Sequence, residues 1–127
     1  MTTWTNDELN KIGKAEELQI ASLRRDDTLR KPVTIWVVRV GDDLYVRSVY
    51  GRGSAWFRGT RTRSQGHIHA GGVDKDVTFV EETDAHVNEQ IDDAYRTKYR
   101  RYAASIVNTT LAPEARAATI KLVPLNR

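Results

Sequence analysis

The sequence predicts an α+β fold: an N-terminal helix, a mostly antiparallel sheet, a long helix in the C-terminal third, a short helix and a closing strand. Three observations predict it. Thr5 is followed three residues later by Glu8, the spacing of a capping box, in which each side chain satisfies a free backbone donor at a helix start. Residues 33 to 40, "VTIWVVRV", are almost all β-branched or aromatic, and "GDD" separates them from "LYVRSVY" as a hairpin turn would. After Asp84 the apolar period lengthens from two residues to the helical 3.6.

In the first helix Leu9, Ile12 and Trp4 are placed to fasten it to a core, and Gly13 marks its end. "ELQIASLR" enters a first strand with Leu18, Ile20 and Ser22 on one face, and "RRDDTLRKP" reads as an exposed polar connection. In the next strand Val33, Ile35 and Val37 share one face and Trp36, Val38 and Val40 the other. Apolar groups on both faces predict a central position for it. The glycine-containing loop after Tyr50 leads to "GHIHAGG" and "KDVTFVEE", two further strands. Asp84 then caps a helix reaching Ala104, with a stripe of Val87, Ile91, Tyr95, Tyr99 or Tyr102, and Ile106. Pro113 opens a short helix, and "TIKLVPL" closes the sheet.

A chain of 127 residues with 39% hydrophobic and 29% charged residues is expected to fold as one domain over 1–127. It has no cysteine, which excludes disulfides, thiolate nucleophiles and cysteine-bound metals and fits a reducing cytoplasm. No stretch approaches the roughly 18 apolar residues of a membrane span, so neither secretion nor insertion is expected. The net charge is +3, but residues 24 to 63 hold ten Lys/Arg against four Asp, a local difference of +6. Such a region attracts an anionic ligand or presents a solvated basic face.

Gly51 and Gly53 flank Arg52, so backbone amides, Ser54 and one arginine can be arranged around an anion; a plain connection is the ordinary alternative. This is not a P-loop, because the Gly-Lys-Ser/Thr ending is missing. Strand parity places Ser48 with Leu44, Val46 and Tyr50, and Arg47 with Tyr45 and Val49, so a pocket is expected to use one set or the other. Trp36 reads as core and Trp56 as the better pocket aromatic. His67 and His69 share a strand face, but no acidic residue at helical metal-ligand spacing accompanies them, so solvent-facing histidines are expected and no metal. "YRTKYRRY", residues 95 to 102, reads as core tyrosines with solvated charge, which argues against nucleic acid. Adjacent carboxylates, such as Asp92 with Asp93, do not share a helix face and support no hydrolase.

Nearly the whole chain resembles a family of small bacterial proteins, domain-of-unknown-function family 2255, through "TWTNDEL", "RKPVTIWVVRVGDDLYVRSV", "GRGSAWFRG", "AGGVDKDVTFVEE", "IDDAYRTKYRRYA" and "PEARAATIKLVP". More distantly, the strand ending at Ser48, the glycine turn and Trp56 look like the split β-barrels that bind flavin or deazaflavin. That resemblance implies a six- or seven-stranded, mostly antiparallel split β-barrel, a homodimer and an FMN or deazaflavin cofactor. It also implies hydride transfer to a small organic substrate. It places Ser48, Arg52, Gly53, Ser54 and Trp56 near the cofactor, and it specifies no catalytic residue; Tyr50, His67 and His69 are the polar candidates. The chain lacks the Gly-Arg-Lys/Thr-Ser-Gly segment of deazaflavin reductases, for which Arg24, Arg25, Arg30 or Lys31 of "RRDDTLRKP" are the candidate substitutes. The alternative readings are a cofactor-independent enzyme or binding protein using the barrel cavity and, less favoured, a nucleic-acid-binding protein.

Overall fold

The computed structural model describes residues 3 to 125. Helix α1 spans Asn6–Lys14, with the Thr5 and Glu8 side chains each accepting from the other's backbone N–H, and it buries Leu9 and Ile12. Strands β1 (Leu18–Ser22), β2 (Val33–Ile35), β3 (Val38–Val40) and β4 (Asp43–Arg47) follow. A 3-10 turn at Gly51–Gly53 leads into α2 (Ala55–Thr62). Then come β5 (Gln65–Ala70), β6 (Val73–Glu81), α3 (Ala85–Lys98), α4 (Ala104–Thr109), α5 (Pro113–Arg116) and β7 (Thr119–Pro124).

All seven strands pair antiparallel in one sheet, in the order β2-β1-β5-β6-β7-β4-β3. The two edge strands, β2 and β3, are consecutive in sequence and joined only through Trp36 and Val37. Three virtual bonds of about 3.8 Å each cannot cross a flat seven-stranded sheet. The sheet therefore curls into a half-barrel until its edges meet. The continuous central strand expected over residues 33 to 40 is thus two short edge strands.

The alternation of faces nevertheless survives the break. Val33, Ile35 and Val37 pack into the core inside the curl, where Leu18, Phe57 and Leu122 are also buried. Trp36, Val38 and Val40 face a second apolar cluster under α3, built around Ile91, Tyr95 and Tyr99. Trp4 donates its indole N–H to the Leu122 carbonyl at 2.9 Å, which ties the start of the chain to β7.

Two further expectations are corrected. The single helix from Asp84 to Ala104 ends at Lys98, and α4 starts only at Ala104, because Tyr99 and Tyr102 turn to enclose Trp36. The Tyr99 and Trp36 rings lie parallel with centroids 3.8 Å apart, and Tyr102 tilts onto the same indole at 5.0 Å. The loop after Tyr50 contains α2, whose face of Phe57, Gly59 and Thr60 is buried. At eight residues with an internal glycine it is helical by packing, not by propensity.

At the break, Val37 has no strand partner for its peptide group. The Tyr99 hydroxyl accepts from Val37 N–H at 3.2 Å and lies 2.8 Å from the Glu16 carbonyl, to which it donates. Lys98 Nζ donates to the Val37 carbonyl at 2.6 Å. Replacing Tyr99 by Phe leaves a buried N–H without an acceptor, so Tyr99→Phe is expected to cost about 1–3 kcal/mol. A urea midpoint indistinguishable from the parent would show that the hydroxyl does not hold the break.

Candidate functional site

β4 ends at Arg47, although Ser48 N–H still bonds the Ala118 carbonyl at 3.1 Å. Gly51 then takes a φ of +80°, a conformation that favours glycine, and turns the chain under α5. Beyond Arg47 the strand parity lapses, and Tyr50 lines one cleft with Arg47 and Val49, from which parity was expected to separate it. The cleft has a volume of about 270 Å³ and lies between β2, the end of β4, the first turn of α2 and the α3–α4 region. Arg47 and Tyr95 line it with Trp36 and Trp56, and Val49 and Tyr50 stand beside them.

Arg47 is only 3% exposed, and all five of its N–H groups are engaged. Nε donates to Thr119 Oγ1 at 2.9 Å. Nη1 donates to Asp92 Oδ1 at 2.5 Å and to the Thr110 carbonyl at 2.8 Å, and Nη2 donates to Asn88 Oδ1 at 2.9 Å and to the Asn88 carbonyl at 3.1 Å. It welds β4, β7, α3 and the α4–α5 turn, with no donor left over for a ligand. Sequence parity set Arg47 on the face opposite Ser48, with Tyr45 and Val49, but did not identify Asp92 as its partner. Its spacing from Asn88 and Tyr95 sets all three on one helix face, which is the signal that would have found it.

The remaining sequence candidates divide among several places. Tyr50, 83% exposed, and Trp56, half-buried, both line the cleft. Ser48 is buried, and its hydroxyl is 2.7 Å from that of Ser54, so the two clasp the turn between them. Arg52 points towards β6, pairing with Glu81 at 2.8 Å and donating to the Ala117 carbonyl at 3.0 Å. At Gly53 nothing lies within 4 Å of where a side chain would start. Next to the cleft, and sharing Val33 and Trp56 with it, is a smaller cavity of about 190 Å³ lined also by Ser22, Arg30, Lys31 and Ala55.

His67 and His69 lie away from the cleft, on the outer face of the sheet. His67 Nδ1 is 2.9 Å from Asp76 Oδ1, and Asp74 Oδ1 is 3.1 Å from His67 Nε2 and 3.0 Å from His69 Nδ1. No group of three or more His, Cys, Asp or Glu among the described residues is arranged to hold a metal ion. In the "YRTKYRRY" segment Tyr95 and Tyr99 are buried, and Arg101 pairs with Glu16. No helix among the described residues is long and apolar enough to cross a membrane.

A curled seven-stranded antiparallel sheet with an aromatic cleft at its mouth defines the split β-barrel class. Within that class the chain belongs to the DUF2255 family, "uncharacterized protein conserved in bacteria", whose profile matches residues 8–122. No curated protein matches the sequence. Among solved structures, a provisionally assigned pyridoxamine 5′-phosphate oxidase from Listeria innocua is 14% identical with a TM-score of 0.67, over 95% of this chain and 93% of that one. The heme storage protein HutZ from Vibrio cholerae is 12% identical with a TM-score of 0.64, over 96% and 91%. An FAD-binding protein from Mesorhizobium loti is 15% identical with a TM-score of 0.54, over 98% and 91%. These likenesses are of fold: the chain is distantly similar to flavin-binding split barrels.

Two outcomes follow from these contacts. Arg47→Met leaves the Asp92 carboxylate largely buried without its closest cation, and is expected to cost about 3–5 kcal/mol. Asp92→Asn in the same background should return part of that loss; a midpoint for Arg47→Met within error of the parent would contradict the weld. For His67, partial burial opposes the charged ring, but the hydrogen bonds to Asp76 and Asp74 outweigh it and hold the pKa above its ordinary value. A raised folded-state pKa stabilises below the unfolded value, about 6.5, and that stabilisation fades as pH rises through the folded value. Asp74, held low by His67 and His69, contributes until pH falls through its own lowered pKa. Urea midpoints between pH 5.5 and 8.5 should therefore fall on the alkaline side in the parent and flatten in His67→Gln; parallel curves would remove the assignment.

Proposed function

We propose that the protein binds a flavin-class cofactor, FMN or a deazaflavin, in the aromatic cleft and acts as a homodimeric oxidoreductase on a small organic substrate. The observation that carries this reading is the cleft itself, with the Trp36 and Trp56 indoles in its walls and a basic cavity continuing past Trp56. The two cavities together fall within the range of about 300 to 1,000 Å³ usual for ligand clefts. Their walls suit a planar ring that continues into a polar tail. When bound, the cofactor supplies hydride chemistry.

The chain's own residues bind and orient the ring and exclude water from it. Trp36 is fixed by its stack on Tyr99, which makes it a rigid wall. Thr34 and Tyr50 line the cleft with hydroxyls that make no hydrogen bond within the described chain, leaving them free for the polar edge of a ring. Ser48, Arg52 and Ser54 act by holding the turn that presents Tyr50 and Trp56, and Gly53 lies within that turn. A second copy of the chain is the proposed cover for the open side, where Val49, Tyr50 and Ile106 are 36%, 83% and 48% exposed.

The test is titration of the folded protein with FMN and with a deazaflavin, following tryptophan and cofactor fluorescence, beside light scattering of the same samples. Trp56→Ala is expected to weaken binding about tenfold, equivalent to ~1.4 kcal/mol. Tyr50→Asp is expected to shift the dimer to monomer. Failure of the folded parent to bind either cofactor class would overturn the reading. Substrate conversion after complete cofactor removal would favour the cofactor-independent alternative.

A further inference from the structure

We infer that Lys98 is a site of covalent acylation, taking an acyl group from an acyl phosphate, and that the acylated side chain still serves the Val37 carbonyl. Lys98 does not line the cleft, so the site is independent of what the cleft binds. The chain has six lysines. Lys11, Lys75 and Lys121 pair with Asp7, Glu8 and Asp43, and Lys14 and Lys31 are exposed. In either setting a carboxylate or water stabilises the ammonium, and a protonated amine has no lone pair with which to attack a carbonyl.

Lys98 is in neither setting. It is half-buried, its Nζ donates to the Val37 carbonyl at 2.6 Å and lies 5.1 Å from the centre of the Tyr99 ring, and it forms no ion pair within the described chain. Glu16, in the connection before β1, is the acidic group that acts on it, but that carboxylate pairs with Arg101. The Tyr99 hydroxyl is committed to Val37 N–H and the Glu16 carbonyl. A carbonyl dipole and a ring face thus stand where a counter-ion would. Burial accordingly lowers the Lys98 pKa from 10.5 to about 8, against the pull of Glu16. At pH 7.5 its free-amine fraction is roughly two-hundredfold that of an unperturbed lysine.

The neutral amine keeps one N–H on the Val37 carbonyl, and its lone pair is then directed away from that oxygen. The lone pair attacks the carbonyl carbon of the acyl phosphate, forming a C–N bond. The C–O bond to phosphorus's oxygen breaks, inorganic phosphate leaves with the bonding pair, and the surplus proton on nitrogen passes to water. The product is an uncharged amide with one N–H. It retains the donor that the Val37 carbonyl requires and sheds an ammonium whose burial is a cost. The attraction to Glu16 is lost with the charge, but burial already outweighs it. The break between β2 and β3 therefore tolerates the modification, which sits on the far side of Tyr99 from the Trp36 wall.

The experiment incubates the folded protein with acetyl phosphate and reads acetylation at each lysine by mass spectrometry of its peptides. A less basic amine is a weaker nucleophile and Lys98 is partly shielded, so at pH 7.5 it is expected to react about tenfold faster than Lys14 or Lys31, not two-hundredfold. Its rate should level off above about pH 8, while theirs goes on rising to pH 9.5. Glu16→Gln should raise the Lys98 rate, because a carboxylate that helps hold the proton is gone, and unfolding the chain in urea should erase its lead. Protein acetylated at Lys98, separated from the unmodified chain by its lost charge, should unfold at no lower a urea concentration. Equal rates at Lys98, Lys14 and Lys31 in the folded chain would overturn the site, as would a Lys98 rate that climbs in parallel with theirs to pH 9.5. A lower urea midpoint on acetylation would overturn the retained contact with Val37.

Discussion

The peptide group of Val37 sits where no strand can reach it, and the half-barrel depends on how that group is satisfied. β2 and β3 belong to opposite edges of the sheet, so the two residues between them carry the closure. A buried backbone N–H and C=O without partners would favour straightening the segment. Tyr99 and Lys98, at the end of α3, supply the missing partners. Burial pulls the Lys98 pKa down to about 8, against the pull of Glu16, which measures how far this ammonium has been drawn from water to reach a carbonyl. Once the edges are held, Trp36 faces outward onto Tyr99 and becomes a wall of the cleft. The same contacts that close the sheet thus shape its mouth.

Two guanidiniums, those of Arg47 and Arg30, differ in how the chain meets their donors. Arg47 joins two strands and the helical layer, and its full set of partners explains how a charge survives inside the fold. Arg30 reaches its cavity from the connection between β1 and β2, whose geometry is itself fixed. Asp27 adopts a φ of +69°, and its carboxylate pairs with Arg63 at the end of α2 at 2.6 Å. That ion pair joins the connection to the helix whose first turn lines the cavity. Asp27 can adopt this backbone because its short polar side chain tolerates the left-handed region.

Much of the local structure was legible in the sequence because its causes are local. The Thr5–Glu8 box, the Asp84 cap, Pro113 at a helix start and the Gly41–Asp42 hairpin each stand where the sequence placed them. So do the faces of residues 33 to 38, since side-chain alternation depends on extended backbone and not on which strand it pairs with. The break at Trp36 and Val37 was illegible for the same reason: the alternation runs through it undisturbed, and only sheet closure interrupts the pairing. α2 was missed because eight residues with Gly59 inside carry little helical signal, and parity failed after Arg47 because the strand had ended. Within the cleft, Tyr50 and Trp56 were found by their nearness to a turn. Arg30 could only be grouped with three other basic residues of a polar loop, since nothing local tells an unpartnered arginine from a solvated one.

The position of β7 bears on how the chain is made. It follows β6 by nearly forty residues in sequence yet lies between β6 and β4, and among the described strands it alone joins the β3–β4 hairpin to the other four. During synthesis, residues 18 to 81 can form a four-stranded unit and a separate hairpin, each with an open edge. Both edges wait for Thr119–Pro124 to leave the ribosome. Pairings this distant in sequence form slowly, and unpaired edges are templates for association with other chains. The interval between translation of β6 and of β7 is therefore when a nascent chain is most exposed to misassembly, and when a chaperone that covers strand edges would have most effect.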